Sequence, residues 1–576
     1  VSPPVSSFQK RFVFNERWRL IPGNNPNARW VNNEPQFGDG GDFDMPRPSI
    51  PEYTKAHACK YTQFGPYVFH NGHVFADSPS NLRLALRRHT GTRDEDPLRH
   101  ALGYPPRDPD STIYTSSDEF ILGLDRELYA RQRQNYPDHP FHEALRQTVH
   151  RRSYETKEEY QLMVEHYADP HPKRSLRIQA FEEMHGRAAI QRTAHTDRLY
   201  VKRPAIKLKT GEYGKKNKYG RVIVNFGTPA SLQGAWITDM IKHAMEVDIP
   251  FAGGHVRFIA TPDPVALAEI FEKLHNPPGV FYGVAFSDDM AFAIRDPSGR
   301  VHRFNIDISS CDKSHGLVVF RTFERLALGT HRDTLRKLAS TCQLTHELRN
   351  PFNLKQKLTL KPREIAMGSG VTLTTALNTS ASLTILANIG LLRLTTADDI
   401  HRATGQLGYL LDVQTCDSMA DILFLKVMPV ELDDGAFFPV MAIGVFLRAS
   451  GACKGDLPGS GPLDERAREF QAALLRGFFS NCTFPALEAM RKRFDVTPRA
   501  AIQQRVDRLL EYKMQTRHAP FQCLTDAQVL ARYHLTPEEE LDVLDFFHNG
   551  RTGTSFASPG LSRVLQADYG LECHTM

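Results

Sequence analysis

Two apolar runs, FYGVAF at 281–286 and MAFAIR at 290–295, are separated by Ser287-Asp288-Asp289. Short apolar runs bounded by turn-forming residues read as strands, so this stretch predicts a hairpin with both acids at its tip. A second reversal follows at Asp296-Pro297-Ser298-Gly299, with proline second and glycine fourth, as a type I turn prefers. The next run, VHRFNIDIS, alternates, with Phe304, Ile306 and Ile308 on one face and Asn305, Asp307 and Ser309 on the other. If Asp296 pairs with Gly299 across the turn, Asp288 comes directly opposite Asp307. Directly opposed side chains have Cβ atoms about 4.5–5.5 Å apart, and two carboxylates at that distance repel unless a cation lies between them. The pattern therefore predicts a site for hard divalent cations, which take carboxylate oxygen.

Elsewhere the periodicity predicts a helix over 374–392, short strands within 408–430, and a helical region after about 455. Thr497-Pro498 and Thr536-Pro537 each read as a helix start, a capping hydroxyl followed by proline at the first helical position. Helical patterning also dominates from about 80 to 200. The first 55 residues are rich in Pro, Asn and Gly and predict an extended arm with little regular structure. No internal repeat is visible.

Composition narrows the class. Of the 576 residues, 41% are hydrophobic and 24% charged, which excludes disordered and membrane-embedded classes, and the length predicts two or three subdomains around one site. The longest apolar run, AFFPVMAIGVFL at 436–447, is too short to span a bilayer and contains Pro439, so no transmembrane helix is predicted. The opening VSPPVSSFQKRF has no signal-peptide core and no initiator Met, which reads as an excised segment or a polyprotein product. Eight scattered cysteines form no CxxC pair, indicating neither a zinc site nor a disulfide framework and fitting a reducing compartment. The net charge of +5 is small but uneven: between Lys202 and Arg221 lie eight Lys or Arg and one acid, Glu212. This Lys-rich stretch reads as a loop or ribbon feeding the apolar strand RVIVNF.

Three further elements carry chemistry. NIDISSCDKSHG sets Asp307 and Asp312 as D-x4-D, and GSGVTLTTALNT at 368–379 contains S-G-x3-T-x3-N through Ser369, Gly370, Thr374 and Asn378. Gly368 and Gly370 make a flexible loop around Ser369, while Thr374 and Asn378 fall one turn apart on one helix face. Together these resemble motifs A and B of viral RNA-dependent RNA polymerases, with Ser-Asp-Asp resembling motif C. Their order here is C, A, B, which resembles the permuted-palm polymerases of permutotetraviruses and birnaviruses, although those usually carry Gly-Asp-Asn or Ala-Asp-Asn. An antiparallel pair joined by a short turn shows why permutation can preserve the chemistry.

The resemblance implies an α+β right-hand polymerase with fingers, an antiparallel-sheet palm and a helical thumb. Its expected divisions are an arm at 1–55 and fingers at 56–280 with a motif F-like ribbon at 202–225. The palm is expected at 281–435, with C at 281–294, A at 304–316, B at 366–390, a D-like part at 391–415 and an E-like part at 420–430. A finger insertion at about 317–365 and a thumb at 436–576 complete the scheme. Asp288 and Asp307, assisted by Asp289, would bind two Mg²⁺ or Mn²⁺ ions, and Asp312 and Asn378 would read the ribose 2′-hydroxyl. Lys218 and Arg221 would contact the triphosphate, and Lys426 would lie near the primer end. No lysine occurs between Asn388 and Leu425, where motif D usually supplies an acid, leaving His401 as the candidate proton donor. Implied partners are an RNA template, nascent RNA and NTPs, with other viral replication or capsid proteins. The implied location is the host cytoplasm, in replication complexes or the virion.

Two alternatives remain open from residues alone. Motif C could instead be Asp398-Asp399 or Asp433-Asp434, though DDIHRATGQ is polar after the acids and VELDDGAFFP lacks a long apolar strand before them. The chain could also be a non-catalytic RNA-binding replication protein whose basic loops carry all affinity through phosphate contacts.

Overall fold

The six strands that organise the molecule are β1 (Asp248–Phe251), β2 (Gly254–Phe258), β3 (Phe281–Phe286), β4 (Asp289–Arg295), β5 (Val301–Ile308) and β6 (Leu411–Cys416). They form one sheet in the order β6-β5-β4-β3-β2-β1, with every neighbouring pair antiparallel except β2–β3. This computed structural model describes residues 126–153, 205–209, 221–226, 228–260, 263–350, 353–362, 364–450, 460–510, 521–551 and 558–570. It also describes short strands at 18–20, 30–31, 34–35, 67–70, 73–75 and 555–556.

Parallel strands need a crossover, and helix α1 (Pro264–His275) supplies it between β2 and β3. Its start is specified locally: Asp263 accepts from the N–H groups of Val265 and Ala266 at 2.9 and 3.0 Å, and Pro264 occupies the first turn. Lys273 of α1 lies 5.5 Å from the Tyr282 ring centroid, so α1 covers the even-numbered face of β3.

The opposite face is covered by α2 (Thr372–Leu391), the predicted 374–392 helix. It contains no charged residue and is buried from Leu373 to Gly390 at every position but Thr375. A helix apolar or small on every side belongs inside a protein, and full burial of each large aliphatic side chain contributes about 1.5–3 kcal/mol. Its approach to β3 is close: a Cβ on Gly390 would meet the Phe281 ring at 2.4 Å. Helix α3 (Ala397–Gln406) then packs beside β6. The fold is mixed α+β, with an antiparallel-dominated central sheet.

The basic ribbon is paired as expected. Ala205–Lys209 and Arg221–Asn225 run antiparallel, and a five-stranded sheet continues through His346–Asn350 and Asn353–Pro362 to Trp18–Leu20. Two strands from the stretch expected as a finger insertion, 346–350 and 353–362, therefore extend the ribbon's sheet, and a short piece of the N-terminal stretch, expected to hold little regular structure, forms its edge strand. Of the region from 80 to 200, helices at Arg126–Asn135 and Phe141–Arg152 are described, and the rest of that expectation lies outside the described residues.

Among the described residues after 455 the chain is mainly helical, the last of these helices being α4 (Pro559–Tyr569). Thr536-Pro537 starts a helix with a capping box: Thr536 Oγ1 accepts from the Glu539 N–H, and the Glu539 side chain accepts from the Thr536 N–H. Thr497-Pro498 does not start one. That helix begins at Ala500, and its entry is held by Arg499 paired with Glu469 at 2.7 Å rather than by a capping hydroxyl. Among the described residues no helix is long and apolar enough to cross a membrane.

Candidate active site

The predicted hairpin is present, but its turn and register differ from the sequence expectation. Phe286 pairs with Asp289, so the loop consists of Ser287 and Asp288 alone, and Asp289 already belongs to β4. Across the next reversal it is Asp289, not Asp288, that lies directly opposite Asp307. The cause is one residue in the turn. Gly299 N–H donates to Asp296 O at 2.9 Å, closing the expected turn, but the ladder closes one step later, where Asp296 N–H donates to Arg300 O at 2.8 Å. Gly299, at φ +87°, is the extra residue: a type I turn followed by a left-handed residue forms a G1 bulge and moves the register by one.

The register extends further than the sequence reading saw. Asp307 also faces Asp412 of β6, so Asp289, Asp307 and Asp412 stand in one row across three strands. The alternation in LDVQTC was the signal for Asp412. Asp289 is held: its Oδ2 accepts from the Leu425 N–H at 2.8 Å, where Leu425 and Lys426 both have positive φ. Asn305, on the same face, holds the same segment by donating to Asp421 O and accepting from Leu423 N–H.

Asp288 belongs to a second grouping. Burial pushes the Cys311 thiol well above its ordinary range, and the charges of Asp288, Asp312 and Asp307 push it in the same direction, which puts all three carboxylates within electrostatic reach of the thiol. Cys311 is therefore a neutral, buried thiol.

Asn378, on α2, ties the pieces together. Its Nδ2 donates to Asp312 Oδ1 at 2.9 Å and to Ser287 Oγ at 3.2 Å, and its Oδ1 lies 2.7 Å from His315 Nε2. Ser287 has φ +54°, an unusual conformation for a residue with a side chain. Its N–H donates to Thr379 Oγ1 at 2.9 Å and its carbonyl accepts from Ser382, so the helix behind the turn holds it there. His315 and Tyr409, whose hydroxyl lies 2.8 Å from His315 Nδ1, were not recognised from sequence. Their partners are distant in the chain, and no local pattern marks them.

The other candidates fall as follows. Thr374 is buried and donates to Gly368 O at 2.6 Å, closing the loop before α2. Ser369 is half-buried, its carbonyl accepting from Val224 N–H at 3.1 Å and joining this loop to the basic ribbon, and Gly370 has φ +85°. Arg221 opens the ribbon's second strand opposite Lys209, and Lys218 lies outside the described residues. Burial lowers the pKa of His401 despite the opposing effects of Asp398 and Asp412, which disfavours the protonated imidazole a general acid needs. Lys426 donates to Asp568 O and lies 4.6 Å from the Tyr569 ring centroid, so its ammonium is engaged by α4.

Among the described residues neither rival acid pair stands opposite an acid in a strand ladder. Asp398 and Asp399 are in the first turn of α3, capped by Thr396, with Asp399 paired to Arg402. Asp433 and Asp434 are at the tip of the separate two-stranded hairpin Val427–Glu431 and Phe437–Met441. That hairpin starts seven residues into the E-like stretch at 420–430; its earlier part is a short 3-10 turn, Met419–Asp421, and loop.

Among the described residues no group of three or more His, Cys, Asp or Glu is arranged to hold a metal ion. The donors present do suit a hard ion shared with a substrate: Mg²⁺ is commonly bound by one or two carboxylates plus substrate phosphates rather than by an all-protein cage. Asp288 and Asp307, both half-buried, are such carboxylates.

A central, mainly antiparallel sheet carrying an acid-tipped hairpin against a second acidic strand, backed by a buried helix that reaches the acids through an amide, defines a candidate carboxylate-based site. Neither a protein-family model nor a curated protein sequence matches the chain. Among solved structures it is similar to the RNA polymerase VP1 from Infectious Pancreatic Necrosis Virus, at 13% identity and a TM-score of 0.36, over 89% of this chain and 79% of that one. It is also similar to the birnavirus VP1-VP3 complex, at 14% identity and a TM-score of 0.35, over 56% of this chain and 48% of that one, so it spans about half the length of that chain.

Proposed function

We propose that this chain is a viral RNA-directed RNA polymerase that joins NTPs to an RNA 3′-hydroxyl on an RNA template, with its motifs in the permuted order C, A, B. The observation that carries this reading is Asn378: one amide is bonded both to Asp312, four residues past the helix-side end of β5, and to Ser287, in the turn that presents Asp288. Three segments far apart in the chain thus converge on the carboxylates that phosphoryl transfer requires.

In this reading Asp288 and Asp307 would hold two Mg²⁺ or Mn²⁺ ions. Bound there, the ions would supply positive charge to the entering and leaving oxygens of the transfer. The protein's own task is positioning, because phosphoryl transfer leaves little covalent chemistry to side chains. Asp289 anchors the 423–426 segment through the Leu425 N–H while its neighbour Asp288 is presented by the turn. Asp312 and Asn378 offer a polar pair for a ribose 2′-hydroxyl, a kind of recognition that strongly rejects analogues lacking the group. Arg221 and the other ribbon cations would face triphosphate or template phosphates.

The test is RNA synthesis on a short primed RNA template with Mg²⁺ or Mn²⁺, with RNA binding measured in parallel. Asp288→Asn and Asp307→Asn should each lower synthesis at least a hundredfold with binding intact, while Asp398→Asn and Asp433→Asn stay within about threefold of the unmodified chain. Full activity of Asp288→Asn would overturn the permuted site. Binding without synthesis by the unmodified protein would favour an RNA-binding replication protein.

A further inference from the structure

Behind Asn378 lies a buried chain of side chains that none of the motifs includes. Asn378 is 3% exposed, His315 1% and Tyr409 0%. Because the Asn378 Nδ2 is committed to Asp312 and Ser287, its Oδ1 is the acceptor in the 2.7 Å contact with His315, which requires the proton on His315 Nε2. His315 Nδ1 then accepts from the Tyr409 hydroxyl at 2.8 Å. The Cys311 sulfur, 3.5 Å from the same Nε2, is a weaker alternative partner. Burial raises the Tyr409 phenol well above its ordinary range, so it remains a donor. Tyr409 in turn packs against Tyr136, with ring centroids 6.1 Å apart.

We infer that His315 and Tyr409 are positioning residues for sugar selection: Tyr409 sets the His315 tautomer, His315 holds the Asn378 amide, and the amide in turn holds the half-buried Asp312 carboxylate in one orientation towards a ribose. This rests on the polymerase reading and deepens it. An asparagine amide has two nearly isosteric orientations, and here two partners select one: the Asp312 carboxylate, which only accepts, on the nitrogen side, and the His315 N–H on the oxygen side. The consequence is asymmetric. A loosened amide weakens the transition state only for nucleotides carrying a 2′-hydroxyl, because 2′-deoxynucleotides never made that bond. Reorganisation of the whole site would slow both kinds together.

The experiment compares kcat/KM for ATP and 2′-deoxyATP opposite template uridine, in the full chain with Mg²⁺. His315→Leu keeps volume and removes both ring nitrogens; Tyr409→Phe removes one oxygen and leaves the ring packing. The His315 change should lower ATP incorporation about tenfold, the scale of one lost hydrogen bond, and 2′-deoxyATP incorporation less than twofold. Tyr409→Phe should move the ratio in the same direction by about threefold, and it serves if His315→Leu does not fold. Equal loss for both nucleotides, or an unchanged ratio, overturns the positioning role while leaving the polymerase reading standing. No incorporation of either nucleotide by the unmodified chain overturns the polymerase reading, and the inference with it.

Discussion

Asp289 faces Asp307 directly across two neighbouring strands, and its carboxylate also holds the Leu425 N–H at 2.8 Å. The residue next to the turn acid is therefore a structural anchor for the 423–426 segment. Replacing it with Ala leaves that N–H without its acceptor, at a cost of about 1–3 kcal/mol, whereas Asn keeps an acceptor and removes only the charge. The expected order of melting temperatures is unmodified and Asp289→Asn close together, with Asp289→Ala several degrees lower. Equal melting temperatures for all three would show that the bond does not stabilise the segment.

Gly299 sets the register that brings those acids together. A Cβ added there meets nothing within 4 Å, so the cost of a side chain is conformational alone. Gly299→Ala should destabilise by about 1 kcal/mol through its φ of +87°, with synthesis retained. Deleting Gly299 should do far more, since a one-residue slip reverses the faces of β5 and separates Asp289 from Asp307. Activity in the deletion variant would contradict this account of the bulge.

Asp568 in α4 is completely buried and pairs with Arg532 at 3.0 Å, while also accepting from Tyr533 at 2.8 Å and the Gly444 N–H at 2.7 Å. Arg532 continues to Asp421 O and Ile422 O, so this pair fastens the C-terminal helices to the 421–426 segment. Removing one partner leaves an uncompensated buried charge, at about 3–5 kcal/mol. Asp568→Ala should therefore lower the melting temperature more than Asp289→Ala. A smaller effect would mean that water replaces the carboxylate.

His142 predicts a pH dependence of stability. Burial lowers its pKa from 6.5 to about 4, opposed by its bond to Tyr136 O. The unfolded chain then binds the proton that the folded one refuses, so the contribution is complete above pH 6.5 and is lost as pH falls towards 4. Its size is about 3 kcal/mol. His142→Gln, which keeps a donor for Tyr136 O, should lessen the loss of melting temperature between pH 7 and 4.5. Parallel profiles would exclude His142 as its source.

Much of this was legible in the chain. The apolar runs on either side of Ser287-Asp288-Asp289, the alternation in VHRFNIDIS and the pattern over 374–392 specified the hairpin, the third strand and the helix, because strand and helix periodicities are local. Thr536-Pro537 marked its helix because the cap and its Glu539 partner lie three residues apart. Thr497-Pro498 misled because nothing nearby completes its cap.

What the sequence alone determined is the kind of side chain available and the local element that carries it: acids at a turn, an acid on a polar strand face, an amide on a helix. The tertiary structure decided which of them meet. The register turned on one left-handed glycine, which no periodicity reveals, and it exchanged Asp288 for Asp289 opposite Asp307. His315 reaches Asn378 across 63 residues of chain and Tyr409 reaches His315 across 94, and these bonds hold because burial removes water as a competing partner.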